Sequence, residues 1–315
     1  MAPPPASYAR DALSLPADST YGVGKRRSLA VNLGSHIPRD AGNIDLKTVD
    51  GFGHEWSAFD QTALGEEEWR ELFDRYFAIF PFDALGDDAQ GFDLGCGSGR
   101  WAAGVAPRVG RLHCIDPAEQ ALAVARRNLA GHANVGFHLA AADSIPLADG
   151  SQDFGYSLGV LHHIPDTAGA LRNCTAKLKP GAPFLLYLYY ALDQRPGWYR
   201  AIWRATDGVR RTISRLPFPL RKSVTNGIAA TVYWPLARGA RLVEKLGGDP
   251  APLPLSAYRS CSFYTMRTDA LDRFGTRLEH RFTREQMRAM MEEAGLADIV
   301  FSEREPYWIA CGRRL

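Results

Sequence analysis

The chain is poor in cysteine, with only Cys96, Cys114, Cys174, Cys261 and Cys311 among 315 residues, odd in number and without a C-x-x-C pair. That argues against a disulfide framework and against a cysteine zinc site. No apolar stretch follows the Met1-Ala2-Pro3-Pro4-Pro5 start to make a signal peptide, so a cytoplasmic protein is expected. Long hydrophobic runs are missing too. The longest, 184–192, is too short to span a bilayer and reads as a buried strand. Neither sign of charge dominates: 37 Lys and Arg stand against 35 Asp and Glu, a net +2, which gives no overall field for nucleic acid or membrane. No internal repeat is visible. With 46% hydrophobic and 23% charged residues, the composition is that of a globular protein.

What is present falls into five stretches. Residues 1–40 are rich in Pro, Ala and Ser, with a Lys25-Arg26-Arg27 cluster, and read as a mobile leader. Residues 41–90 read as an N-terminal helical segment. In it Glu66-Glu67-Glu68 opens a helix, and Trp69, Leu72, Phe73, Tyr76, Phe77 and Phe80 recur at helical spacing up to Pro81. Residues 91–192 alternate short apolar strands (92–94, 111–115, 135–140, 154–158, 184–190) with helices (101–108, 117–130, 166–178), the rhythm of a parallel sheet wound by right-handed crossovers. Residues 193–280 break that rhythm with helical, aromatic and basic segments punctuated by proline, and read as a cap inserted after the fifth strand. Residues 281–315 resume it: Thr283 and Gln286 form a capping box, Gly295 closes the helix, and 299–303 and 307–311 make a closing strand pair.

Chemistry concentrates at the strand ends. Asp93-Leu94-Gly95-Cys96-Gly97-Ser98-Gly99 follows the first strand, with glycines where a backbone turns sharply against a ligand at a helix N-terminus. A dinucleotide loop favours G-x-G-x-x-G; here the spacing is G-x-G-x-G, and Asp93 suits an ammonium better than a pyrophosphate. Asp116 ends the second strand, placed to accept from ribose hydroxyls, and Asp143 follows the third, placed for an adenine amino group with Ile145 over the ring. Three acids on one rim outweigh the alternative of three surface carboxylates.

These residues, with the stretch from Asp153 to Asp166 and Leu178-Lys179-Pro180-Gly181, resemble the successive motifs of the class I S-adenosylmethionine (SAM)-dependent methyltransferases, of the type 11/12 kind. The resemblance covers about 90–190 and returns at 281–313. It implies an α/β, Rossmann-like, seven-stranded, mostly parallel sheet with helices on both faces and one antiparallel strand. The cofactor set it implies is Asp93, Gly95, Cys96, Gly97, Gly99, Asp116, Pro117, Asp143, Ser144, Ile145 and Leu158, and the cofactor is SAM. More weakly, 52–64 resembles the entry segment of some bacterial methyltransferases of sugar and natural-product pathways. In ubiquinone-type O-methyltransferases the position matching His162 is acidic and helps hold a divalent metal; a histidine there leads us to expect no metal.

A base is needed only if the acceptor must lose a proton. His162 and His163 lie beside the expected methyl position, and His162 is the candidate general base, with His163 capping or packing. Tyr190 is the candidate acceptor-pocket residue and Tyr187 a core residue; Trp56 and Phe59 either close over the cofactor or pack at a helix seam. Residues 193–255 hold eleven Lys or Arg against four Asp or Glu. A cap gripping a small, anionic acceptor ranks first, ahead of RNA (a tRNA or rRNA methyltransferase) and of a membrane-surface helix. A nicotinamide-dependent oxidoreductase and a non-catalytic SAM-binding protein also stay open. The acceptor, the methylated atom and the oligomeric state are not legible.

Overall fold

The computed structural model describes residues 42–192, 196–304 and 308–315. The leader expected over 1–40, with its basic cluster, lies outside the described residues.

Two helices lead into the sheet. In α1 (Leu46–Ala58) the Asp45 carboxylate accepts the Thr48 N–H at 2.8 Å, an N-cap that ties off one otherwise orphaned donor. α2 (Glu66–Tyr76) carries Glu66, Glu67 and Glu68 in its first turn, against the positive end of the helix dipole. It stops at Tyr76, short of the expected Phe80. From there the chain turns so that Phe77 and Phe80 meet edge-on at 5.9 Å and continue the apolar stripe without helix.

The strands are β1 (Gln90–Leu94), β2 (Arg111–Asp116), β3 (Val135–Leu139), β4 (Phe154–Leu158), β5 (Pro183–Tyr187), β6 (Leu296–Phe301) and β7 (Ile309–Arg314), in one seven-stranded sheet ordered β3-β2-β1-β4-β5-β7-β6. β7 alone runs antiparallel to its neighbours. Between them lie α3 (Ala102–Val105), α4 (Glu119–Asn128) and α5 (Thr167–Ala176). β1 pairs with β2 on one side and β4 on the other, so strand order reverses beside β1, where open α/β sheets bind ligands. Phe92, Leu94, Ile115 and Leu186 pack on one face of the sheet; Leu112, Phe154, Tyr156 and Leu185 pack on the other, under Phe73 and Phe77 of α2.

Two boundaries and one strand register have local causes. The helix expected over 101–108 is α3 followed by a 3-10 turn, Ala106–Arg108, because Pro107 withholds its N–H. Gly295, at φ +79, turns α10 (Arg284–Glu293) directly into β6, so that strand starts three residues early. A bulge between Ala297 and Val300 then shifts its register.

Between β5 and α10 run α6 (Gly197–Ile213), α7 (Phe218–Ile228), α8 (Trp234–Lys245) and α9 (Phe263–Gly275), which share their own apolar cluster around Ile213, Tyr233, Met266 and Phe274. Pro235 does not punctuate this stretch. A π-helical turn, Ala229–Tyr233, carries the chain from α7 into α8 and places Pro235 in the first turn, where no donor is lost.

Candidate functional site

One cavity of about 740 Å³ opens at the carboxyl ends of β1, β2 and β4, walled by the glycine loop, α1 and the helices after β5. Its size is that of a site for a drug-sized ligand or larger.

The loop after β1 is held in a shape that only glycine accepts at two points. Gly95 has φ +78, and a Cβ there would lie 2.4 Å from Val160; Gly97 has φ +53, and a Cβ would lie 2.8 Å from the Trp56 ring. Trp56 of α1 thus covers the loop, whereas Phe59 is buried against Tyr264 at 5.8 Å. Asp116 fixes the loop from below: Oδ2 accepts the Gly97 N–H at 2.9 Å and Oδ1 the Ala118 N–H at 2.8 Å. Burial pushes its carboxyl up to about 6, with those two N–H groups pulling the other way. Each oxygen keeps a lone pair on the cavity side, enough for two hydroxyl donors.

Gly95, Cys96, Asp116, Pro117 and Leu158 stand on the cavity wall as the sequence places them, together with Ser98. Asp93 lies beneath the loop, 1% exposed; burial pushes its carboxyl well up, and its Oδ2 has no hydrogen-bond partner among the described residues. The Ser98 hydroxyl is buried and unpartnered likewise. Orphaned polar atoms around a loop with no room for side chains fit a ligand carrying both donors and acceptors.

The stretch after β3 is a correction. Asp143 is exposed and accepts the Asn43 N–H at 2.8 Å; Ser144 turns its hydroxyl back to the Ala141 carbonyl at 3.4 Å; Ile145 is buried in the core. Ala141 and Ala142 face the cavity instead, because the chain turns there, with the Ser144 N–H meeting the Ala141 carbonyl at 3.1 Å. Asp143 and Asp166 latch Asn43, which carries the segment entering α1 across the rim.

A second correction concerns the histidines. His162 is fully buried, stacked 3.9 Å from the Tyr189 ring, with neither ring nitrogen partnered among the described residues. It lies off the cavity wall, so it is not placed to act as the base, and burial holds it well below the usual histidine range. His163 reaches the wall. Its Nδ1 lies 2.7 Å from the Leu278 carbonyl, which can only accept, so Nδ1 carries the proton and Nε2 the lone pair. Nε2 is 3.8 Å from Asp272 Oδ1 of α9, and the Tyr189 hydroxyl donates to Asp272 Oδ2. Tyr190 lines the cavity as expected, and so does Tyr187, edge-on to Tyr76 at 5.2 Å, where a core position is expected.

Further wall residues escape the sequence reading. Burial pushes Glu55 of α1 well up, with Asp272 and Asp269 adding to it, and takes Asp269 up to about 6. Asp269 and Asp272 stand one helical turn apart on α9, a spacing readable in sequence only once that helix is known to face a site. The cations on the wall are Arg75, Arg100, Arg273 and Arg281; none belongs to 193–255. Arg273 and Arg281 share Glu279, at 3.4 and 2.7 Å. Within 193–255, Arg210 is paired with Asp207, Arg221 and Arg238 donate to backbone carbonyls, and the other described basic residues also lie off the wall. Among the described residues of that stretch the expected anion clamp is therefore not built.

Comparison with known proteins agrees with this geometry. Residues 92–186 match the family model described as a methyltransferase domain. A ubiquinone biosynthesis O-methyltransferase of Methylocella silvestris is 26% identical over 152 residues, covering 44% of this chain and 59% of that protein. A ubiquinone/menaquinone biosynthesis C-methyltransferase of Rubrivivax gelatinosus is 33% identical over 108 residues, covering 34% and 40%. A solved putative methyltransferase from Bacillus halodurans covers 74% of this chain and 70% of its own, at 16% identity and a TM-score of 0.45. Residues 92–186 thus match a methyltransferase domain, and they hold most of β1, all of β2, β3 and β4, and all but the last residue of β5. The chain spans 59% of the length of the Methylocella relative and 40% of the Rubrivivax one.

Proposed function

We propose that the protein transfers a methyl group from SAM to a small-molecule acceptor held between the sheet rim and α6–α9, which act as its cap. One observation carries this reading: the glycine loop with Asp116, and the His163–Asp272–Tyr189 group, line the same cavity. A nucleoside ligand at the first thereby has room for an acceptor at the second.

SAM, when bound, supplies an electrophilic methyl on a good leaving group. The chain's task is then alignment and exclusion of water, which oriented groups can serve by roughly 7–11 kcal/mol in favourable systems. Asp116 accepts the ribose hydroxyls, the 95–98 backbone approaches the amino-acid end, and Trp56 closes the loop from above. For a hydroxyl acceptor, His163 Nε2 takes the proton as the O–methyl bond forms, and Asp272 stabilises the imidazolium. A cation bound above the loop would oppose the burial that pushes the Asp93 carboxyl up, so Asp93 acts on the ammonium only as the anion which that cation induces.

Calorimetry tests the cofactor half: SAM and S-adenosylhomocysteine should bind at micromolar levels and NAD should not. Mass spectrometry across candidate acceptors tests the other half by the gain of one methylene. Tight NAD binding without SAM binding would remove the reading.

A further inference from the structure

The cavity's mouth is apolar and turned to solvent. Ile202 and Val209 of α6, Val232 of the π-turn and Leu236 of α8 all line the cavity, yet each is more than two-fifths exposed. A side chain that does both stands at the opening. Trp198 extends the rim along α6, 52% exposed, four residues before Ile202; Leu242 and Leu246 are further exposed apolar residues at the end of α8, at 57% and 79%. Leaving so much large apolar surface in water is unfavourable, and contiguous patches of this kind mark docking surfaces.

The opposite face of α6 is basic. Arg200, Arg204 and Arg211 recur along α6 at steps of four and seven, with Arg215 just past its end, all exposed; Arg241 and Lys245 lie exposed on α8. Arg211 pairs with Asp207, whereas the other five have no ion pair among the described residues. The stretch 193–255 carries eleven basic against four acidic residues in a chain whose net charge is only +2. Surplus positive charge is thus carried on the outer faces of the helices whose inner faces line the cavity. A helix with exposed apolar residues and a tryptophan on one face and arginine on the other matches one that lies in the surface of an anionic bilayer. Aliphatic rim residues neither stack on bases nor accept their hydrogen bonds, which disfavours RNA. Among the described residues no helix is long and apolar enough to cross a membrane, so the contact is a surface one.

We propose that α6 and α8 dock the protein on an anionic lipid surface, with the cavity mouth against the bilayer. Combined with the methyltransferase reading, on which this clause rests, the acceptor is an apolar molecule that partitions into lipid.

The test is sedimentation of the full chain with vesicles of phosphatidylcholine, with and without phosphatidylserine. Binding is expected to the anionic vesicles and to weaken with salt. Trp198→Glu with Leu242→Glu, two positions off the cavity wall, should lower it roughly tenfold or more. S-adenosylhomocysteine affinity, measured in parallel, reports whether the variant is folded and whether the cofactor reading stands. Arg200→Glu with Arg204→Glu should weaken binding to anionic vesicles alone. The proposal falls if the full chain ignores anionic vesicles, or if the apolar variant binds them undiminished. It falls equally if bulk tRNA is bound in their place, or if the rim proves to be buried between two copies that Trp198→Glu separates.

Discussion

At the scale of single residues, position on the cavity wall decides which of two adjacent buried histidines can do chemistry. His162 has no partner for either nitrogen, so His162→Phe removes two buried polar atoms while keeping a planar ring. Melting temperature should hold or rise and turnover should persist; loss of turnover with the fold intact would restore His162 to the reaction. His163→Ala should instead slow transfer to a hydroxyl acceptor by about 10²–10⁴-fold while leaving SAM affinity within a few-fold. Wild-type turnover in that variant would make His163 structural. Asp116 sets a pH dependence. Its carboxyl, raised to about 6 by burial, keeps its proton in the folded protein where an unfolded chain has already released it. Ionisation therefore lowers folding stability as pH climbs towards 6, and a ligand whose hydroxyls donate to the anion draws the proton off. SAM affinity should rise with pH up to about 6 and then level, at most roughly tenfold per pH unit. A flat calorimetric profile from about pH 5 to pH 8 would take Asp116 out of the ribose role.

At the scale of elements, helix ends and tight turns carry the specific predictions. Thr283 accepts the Gln286 N–H at 3.2 Å, and the Gln286 side chain accepts the Thr283 N–H at 2.9 Å. Thr283→Ala should cost about 1 kcal/mol, read in denaturant melts with an unchanged slope. Gly97→Ala forces an alanine into the left-handed region, about 1–2 kcal/mol, and drives a methyl into the Trp56 ring. It should weaken SAM more than it lowers stability; the reverse order would mean that α1 does not close on the loop. The capping box and the glycine turn after α10 were legible in sequence because both are local chemistry. The ends of β6 and β7 were not, since a bulge and an antiparallel partner set their register.

At the scale of the whole molecule, the sheet supplies a rim and the helices after β5 supply the opposite wall. Saturating SAM at about a hundred times its Kd should add about 2.7 kcal/mol to folding stability in one transition. Protection from hydrogen exchange is expected to increase in α1 and in the 95–98 loop, and two separate transitions would show the wall melting apart from the sheet.

Sequence by itself determined the strand–helix rhythm, the turn after β1 and the acid ending β2, because strand period, glycine conformation and strand-end position are written within a few residues. Tertiary structure alone decided which polar groups meet. His163 and Asp272 are more than a hundred residues apart, and Asp143 is taken by Asn43 from a similar distance. The basic stretch read as a clamp faces away from the cavity, since helical rotation, not composition, decides which side chain reaches a wall.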